Sequence, residues 1–219
     1  MNYNTFIFDL DGTLLNTLDD LTASTNYALR SVGLKEHSVE EVRQMVGNGI
    51  RKLIERAVPG GDSHPLFAQV FETFQTHYMA HSLDKTKPYE GVVELLRELK
   101  RRGCRLAIVS NKFSTATQEL ARHFFPDTIE VAIGENEAEG IRKKPAPDTV
   151  YEALRQLGVS KNGAVYVGDS DVDLMTAHNS SLPCISVLWG FRDREFLMEH
   201  GATVFITSPE ELLHETPNL

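Results

Sequence analysis

Apolar residues in this chain fall into two rhythms. Short unbroken runs occur at Thr5 to Phe8, Arg105 to Val109, Ile129 to Ile133, Ala164 to Val167, Cys184 to Leu188 and Thr203 to Ile206. Most are too continuous for a strand with one wet face, so they predict strands buried on both sides. Between them the spacing turns helical: Val92, Val93, Leu96 and Leu99 recur before Gly103, and Val150, Ala153, Leu154 and Leu157 before Gly158. Strands alternating with helices in this way predict an α/β fold with a doubly wound, Rossmann-like parallel sheet.

The alternation stops between about Thr17 and Leu83, where helical spacing follows helical spacing with no convincing strand. Leu18, Leu21, Ala28, Leu29 and Val32 share one helical face that ends at Gly33, and Ser38 with Glu41 has the spacing of a capping box. Ile50, Leu53, Ile54, Ala57 and Val58 make a third stripe that Pro59-Gly60-Gly61 terminates. Leu66, Val70, Phe71, Phe74 and Tyr78 make a fourth. The expected organisation is a catalytic core of residues 1–16 and 84–219 with a helical-bundle cap, 17–83, inserted into it. Leu14 to Thr17 and Ser82 to Tyr89 would be the two links on which such a cap could rotate.

Composition narrows the classes of partner. A formal net charge of −9 offers no basic face to nucleic acid or an anionic membrane. No run reaches the length of a membrane span, and Met1 leads straight into a strand without a charged-then-apolar signal region, so the expected location is the cytoplasm. Cys104 and Cys184 lack the paired spacing of a zinc site and read as reduced thiols beside apolar strands. The eight histidines show no metal-ligand spacing either.

In an open parallel sheet, ligands bind beyond the carboxyl ends of the strands, so the residues that follow each strand carry the chemistry. Asp9 and Asp11 follow the first, Ser110 and Asn111 the second, Lys144 the third, Asp169 and Asp173 the fourth. Two carboxylates about 4 Å apart repel by roughly 4 kcal/mol at an effective dielectric near 20, so such a cluster calls for a cation, and hard oxygen donors suit Mg²⁺. Asp9 and Asp11, two apart in extended backbone, point the same way until Gly12 lets the chain turn. One can attack phosphorus, while the other protonates the leaving oxygen and later deprotonates water. Asp9, the Asp11 carbonyl and Asp169 would hold Mg²⁺, and Lys144 would be a second positive clamp. Ser110 and the backbone around Asn111 would donate to the phosphoryl oxygens, and Asp173 would orient Lys144 or a metal-bound water.

These motifs, in this order and spanning essentially the whole chain, resemble the haloacid dehalogenase superfamily of phosphatases with a helical cap inserted after the first motif. Asp9-Leu10-Asp11-Gly12-Thr13 matches the first motif, Ser110-Asn111 the second, Lys144-Pro145 the third, and Gly168-Asp169 with Asp173 the fourth. The resemblance implies that Gly12 and Thr13 join Ser110, Asn111 and Lys144 around the phosphate. Val46-Gly47-Asn48-Gly49, Ser110-Asn111-Lys112, Lys144-Pro145-Ala146-Pro147 and Trp189-Gly190-Phe191 resemble phosphoglycolate phosphatases in particular. The implied substrate is a small phosphorylated metabolite, 2-phosphoglycolate first, with nucleotides, sugar phosphates, pyrophosphate and a phosphomutase reaction as alternatives. Two departures stand out: Asn16-Thr17 replaces the more usual Asp-Ser, and Ser180-Ser181 stands where Ala-Gly commonly follows the fourth motif.

Other readings remain beside these. Gly47-Asn48-Gly49 is either a break between cap helices or a helix N-terminus that, with Arg51 nearby, meets a substrate carboxylate. Trp189 and Phe191 read as packing rather than ligand contacts. A signalling receiver domain also joins a phosphorylated Asp, a hydroxyl residue and a Lys on such a sheet, but it has no inserted lid and keeps its acidic pair on a different strand from its phosphoacceptor. A binding protein that has lost catalysis is the third class. A monomer or a homodimer is expected.

Overall fold

The structure, a computed structural model, describes residues 3–215. Its main sheet has six strands: β1 Thr5–Phe8, β4 Arg105–Phe113, β5 Val131–Glu135, β6 Ala164–Gly168, β7 Cys184–Val187 and β8 Phe205–Ile206. Their order is β5-β4-β1-β6-β7-β8, and every pairing is parallel. Thr5 pairs with Arg105 on one side and Ala164 on the other, so the Asp9 end of β1 lies between the ends of β4 and β6. This is the doubly wound α/β core expected from the continuous apolar runs.

Alternate side chains of the sheet serve opposite faces. Ile7, Ala107, Val109, Val131, Ile133, Ala164 and Tyr166 join one core cluster, closed by Val150, Ala153, Leu154 and Leu157 of α7 (Asp148–Leu157) and Ala177 of α8 (Asp171–Ser180). Of the intervening residues, Phe6 and Phe8 stack 6.0 Å apart, and Leu106 and Ile108 are fully buried. Two further helices, α5 (Val92–Arg101) and α6 (Ser114–Phe124), pack against β4. A short helix, α9 (Arg194–Glu199), precedes β8.

Several boundaries move from their expected positions. Ser110 and Asn111 do not follow the second strand; they lie inside it, because β4 continues to Phe113 after its register with β5 shifts between Val109 and Phe113. The third strand starts at Val131 rather than Ile129, because the Ile129 N–H donates to the Phe125 carbonyl in the preceding turn. Ser181, at the Ala-Gly departure, takes the left-handed conformation itself, with φ 57°.

The chain divides into two compact units, Met1–Leu15 with Pro88–Leu219, and Asn16–Lys87. Both crossing points fall inside the expected links, as the paired two-residue strands β2 (Leu15–Asn16) and β3 (Lys87–Pro88). The smaller unit holds α1 Leu18–Ser31, α2 Val39–Met45, α3 Ile50–Ala57 and α4 Phe67–His81. The Ser38–Glu41 capping box forms. Asp20, which the apolar pattern does not single out, is buried on α1. Its carboxylate accepts from the backbone N–H groups of Lys85 and Thr86 and from the Thr86 hydroxyl.

Candidate active site

Strand ends and tight turns of the larger unit bring four chemical segments together. Asp9, at the end of β1, is 7% exposed, and its Oδ1 accepts from Lys144 Nζ at 2.7 Å. Among the described residues no donor to Oδ2 is found, so one oxygen of Asp9 is fixed and the other is open. Lys144 also donates to Asp173 Oδ1 at 2.8 Å and to the Tyr166 hydroxyl at 3.2 Å, so its three protons have three partners. Tyr166 in turn donates to Asp173 Oδ1 at 2.9 Å.

Asp173 is placed by a capping box at the start of α8. Its Oδ2 accepts from the N–H of Asp169, the N–H of Ser170 and the Ser170 hydroxyl, while the Asp173 N–H donates back to Ser170 Oγ. A carboxylate offers about four lone-pair sites. Five donors therefore occupy Asp173, which makes it an anchor for Lys144 rather than a metal ligand. Asp169 is less committed: Oδ1 accepts from the Thr13 hydroxyl at 3.2 Å and Oδ2 from the Phe191 N–H at 2.7 Å.

Glycines shape the space around these carboxylates. A methyl group on Gly12 or on Gly190 would collide with the Asp169 side chain, and one on Gly168 with Asp173. The Trp189 indole donates to the Thr13 carbonyl at 2.9 Å. Phe191 is buried, as the packing reading expects, and the segment Trp189-Gly190-Phe191 makes polar contacts as well. It is a strap that holds the first and fourth motifs together.

Carboxylate oxygens of Asp9, Asp169 and Asp173 lie within 4.8 Å of one another. At that distance each ionised pair repels by roughly 3 to 4 kcal/mol at an effective dielectric of 20. Burial pushes the Asp9 carboxyl well above its ordinary range, Asp173 adds to the rise, and Lys144 opposes it. Burial, with Asp173, also raises Asp169 to about 7, against the Phe191 N–H. Burial alone would lower Lys144, but Asp173 and Asp9 outweigh it and hold its pKa above the ordinary value. Three carboxylates and one ammonium are short of positive charge. The free oxygen of Asp9 and the partly committed ones of Asp169 are hard donors that fit a Mg²⁺-like cation.

Ser110 and Asn111 are buried; Ser110 Oγ accepts from the Lys112 N–H, and the Asn111 amide donates to the Lys144 carbonyl at 3.0 Å. Lys112 is itself buried, with Nζ 3.0 Å from Asp11 Oδ1. Burial, with Asp169 and Asp11 adding, raises the Tyr89 phenol, which marks another ring beside the site. The expected residues Asp9, Asp11, Gly12, Thr13, Ser110, Asn111, Lys144, Asp169 and Asp173 all belong to this unit. Asn48 and Arg51 belong to the other, where Asn48 Oδ1 accepts from Arg56 at 2.6 Å and Arg51 lies 5.0 Å over the Phe67 ring. Tyr166 was not anticipated as a site residue, and Lys112 entered only as the last residue of the Ser110-Asn111-Lys112 resemblance. A Tyr in a Val-rich strand and a Lys inside an apolar one were the available signals.

The family model for haloacid dehalogenase-like hydrolase matches residues 6–187. The chain is 34% identical over 197 residues to the phosphoglycolate phosphatase of Mesorhizobium japonicum, covering 86% of this chain and 84% of that protein. It is 32% identical over 194 residues to that of Agrobacterium fabrum, covering 85% and 81%. The crystal structure of a candidate phosphoglycolate phosphatase from Lactobacillus delbrueckii subsp. bulgaricus superimposes with a TM-score of 0.92 at 37% identity, covering 97% of each chain. CbbY from Rhodobacter sphaeroides, solved in complex with phosphate, gives 0.77 at 27% identity over 96% of each.

Proposed function

The chain belongs to the haloacid dehalogenase-like hydrolases, and from that premise we propose that it is a Mg²⁺-dependent phosphomonoesterase working through an aspartyl-phosphate at Asp9. The observation that carries this reading is the state of Asp9: one oxygen is fixed by Lys144 and the other is open, in a cluster short of positive charge.

Asp9 Oδ2 forms the bond to phosphorus as the bond to the leaving oxygen breaks, and Asp11 gives that oxygen its proton. Ionised Asp11 then takes a proton from water, whose oxygen attacks phosphorus; the bond to Asp9 breaks, and inorganic phosphate leaves. Ser110, Lys144, Thr13 and the backbone around Gly12 and Asn111 are assigned to the transferring group, with Lys144 acting through its charge beside Asp9. When bound, Mg²⁺ would be held by Asp9, Asp169 and the Asp11 carbonyl and would neutralise charge on the phosphoryl oxygens.

The substrate is a small phosphorylated metabolite, with 2-phosphoglycolate first because that is the activity in the names of the relatives above. The test is phosphate release with Mg²⁺ from 2-phosphoglycolate, nucleoside monophosphates, sugar phosphates and pyrophosphate, with Asp9→Asn as control. One compound far above the rest and a dead control support the reading. Activity in the control, or none in the native enzyme, would sink it.

A further inference from the structure

Each of the two aspartates in the first motif has its own buried lysine. Lys144 holds Asp9, and Lys112 holds Asp11. The Lys112 side chain is 2% exposed against 15% for its partner, so an ammonium sits beneath a carboxylate that reaches the surface of the site.

The backbone is built to keep it there. The Lys112 N–H donates to Ser110 Oγ at 3.1 Å, and its carbonyl accepts from the Thr117 hydroxyl at 3.4 Å. On the neighbouring strand, any side chain at Gly134 would collide with that same carbonyl and with Ser114. The register shift of β4 between Val109 and Phe113 falls on this segment.

We propose that Lys112 is the positioning residue for Asp11, holding the ionised carboxylate in place to take the proton from water when the phosphoenzyme is hydrolysed. The assignment rests on the aspartyl-phosphate reading above. In that step an O–H bond of water breaks toward Asp11, a new P–O bond forms, and the Asp9–phosphorus bond returns its electron pair to Asp9. A carboxylate free to swing would lose this alignment, and misplacement of about 1 Å can cost on the order of 100-fold.

The test uses 4-nitrophenyl phosphate with Mg²⁺, because its leaving group needs no proton. Lys112→Met, close to Lys in volume, should release one equivalent of nitrophenol per site at nearly the native rate and then turn over about 10- to 100-fold more slowly, with phosphoenzyme accumulating. Lys112→Arg should recover much of the loss. In an Asp11→Asn background, Lys112→Met should slow phosphoenzyme breakdown no further, since its partner is already gone. Four results would overturn the proposal: an equally slowed burst, unchanged turnover, a loss that adds to that of Asp11→Asn, or a raised KM for 2-phosphoglycolate at unchanged kcat, which would give Lys112 to the substrate's carboxylate. Failure of the parent reading looks different, because native enzyme would then form no phosphoenzyme and Asp9→Asn would still turn over.

Discussion

Gly190 shows how closely single atoms are constrained here. A Cβ at that position would meet the Asp169 side chain and the Gly12 carbonyl together. Gly190→Ala should therefore lower kcat/KM by roughly 100-fold or more and weaken Mg²⁺ dependence, read by steady-state kinetics across a Mg²⁺ titration. Tyr166→Phe removes one donor to Asp173 and one acceptor from Lys144. It should cost about 1 to 2 kcal/mol in urea denaturation, since Lys144 still reaches both carboxylates. Asp9 and Asp169 do follow their strands as the apolar runs predict, whereas Ser110 lies inside β4 and Lys144 stands well beyond the end of β5. The roles of Tyr166 and Lys112 were not legible, because each comes from a partner brought near by sheet pairing.

Helix α8 is an element that apolar spacing could not reveal. Its buried side includes Asp173, Thr176 and Ser180, whose polar groups are all hydrogen-bonded, so no apolar stripe appears in the sequence. The continuous strands and the stripes of α5 and α7 were legible for the opposite reason, since only apolar side chains fill the faces they bury. The C-terminus of α8 carries its own prediction. Ser181 sits at φ 57°, a conformation glycine adopts without the steric penalty of a Cβ. Ser181→Gly should raise stability by about 0.5 to 1 kcal/mol, measured as a shift in the urea midpoint at unchanged m-value. On α1, Asp20→Ala leaves the Lys85 and Thr86 N–H groups without their acceptor, so a loss of about 2 to 4 kcal/mol is expected by the same measurement.

Across the whole molecule, the carboxylate cluster ties stability to pH and to metal. Burial raises Asp169 from 3.8 to about 7, so the folded apo protein holds that proton more tightly than the unfolded chain does. Its contribution is complete below the ordinary carboxylate value and is lost as pH rises through about 7. In the presence of a chelator, Tm should fall between pH 5 and 8. Mg²⁺ should restore it more at the higher pH, where no proton competes for the site. Asp169→Asn should flatten both responses, and calorimetry with an unchanged slope in that variant would contradict the assignment. The break in strand and helix alternation suggested a segment of 17–83, and the compact smaller unit runs Asn16–Lys87, with both crossing points inside the two links. The contacts of Asn48 with Arg56 and of Arg51 with Phe67 were less legible, because sequence spacing does not announce them.

The central claim is that Asp9 carries the phosphoryl group. Native enzyme mixed with 2-phosphoglycolate and Mg²⁺, quenched in acid within one turnover and digested, should yield a phosphorylated peptide whose adduct maps to Asp9 and is absent from Asp9→Asn. Phosphate release at full rate with no adduct at Asp9, or an adduct on another residue, would contradict the account.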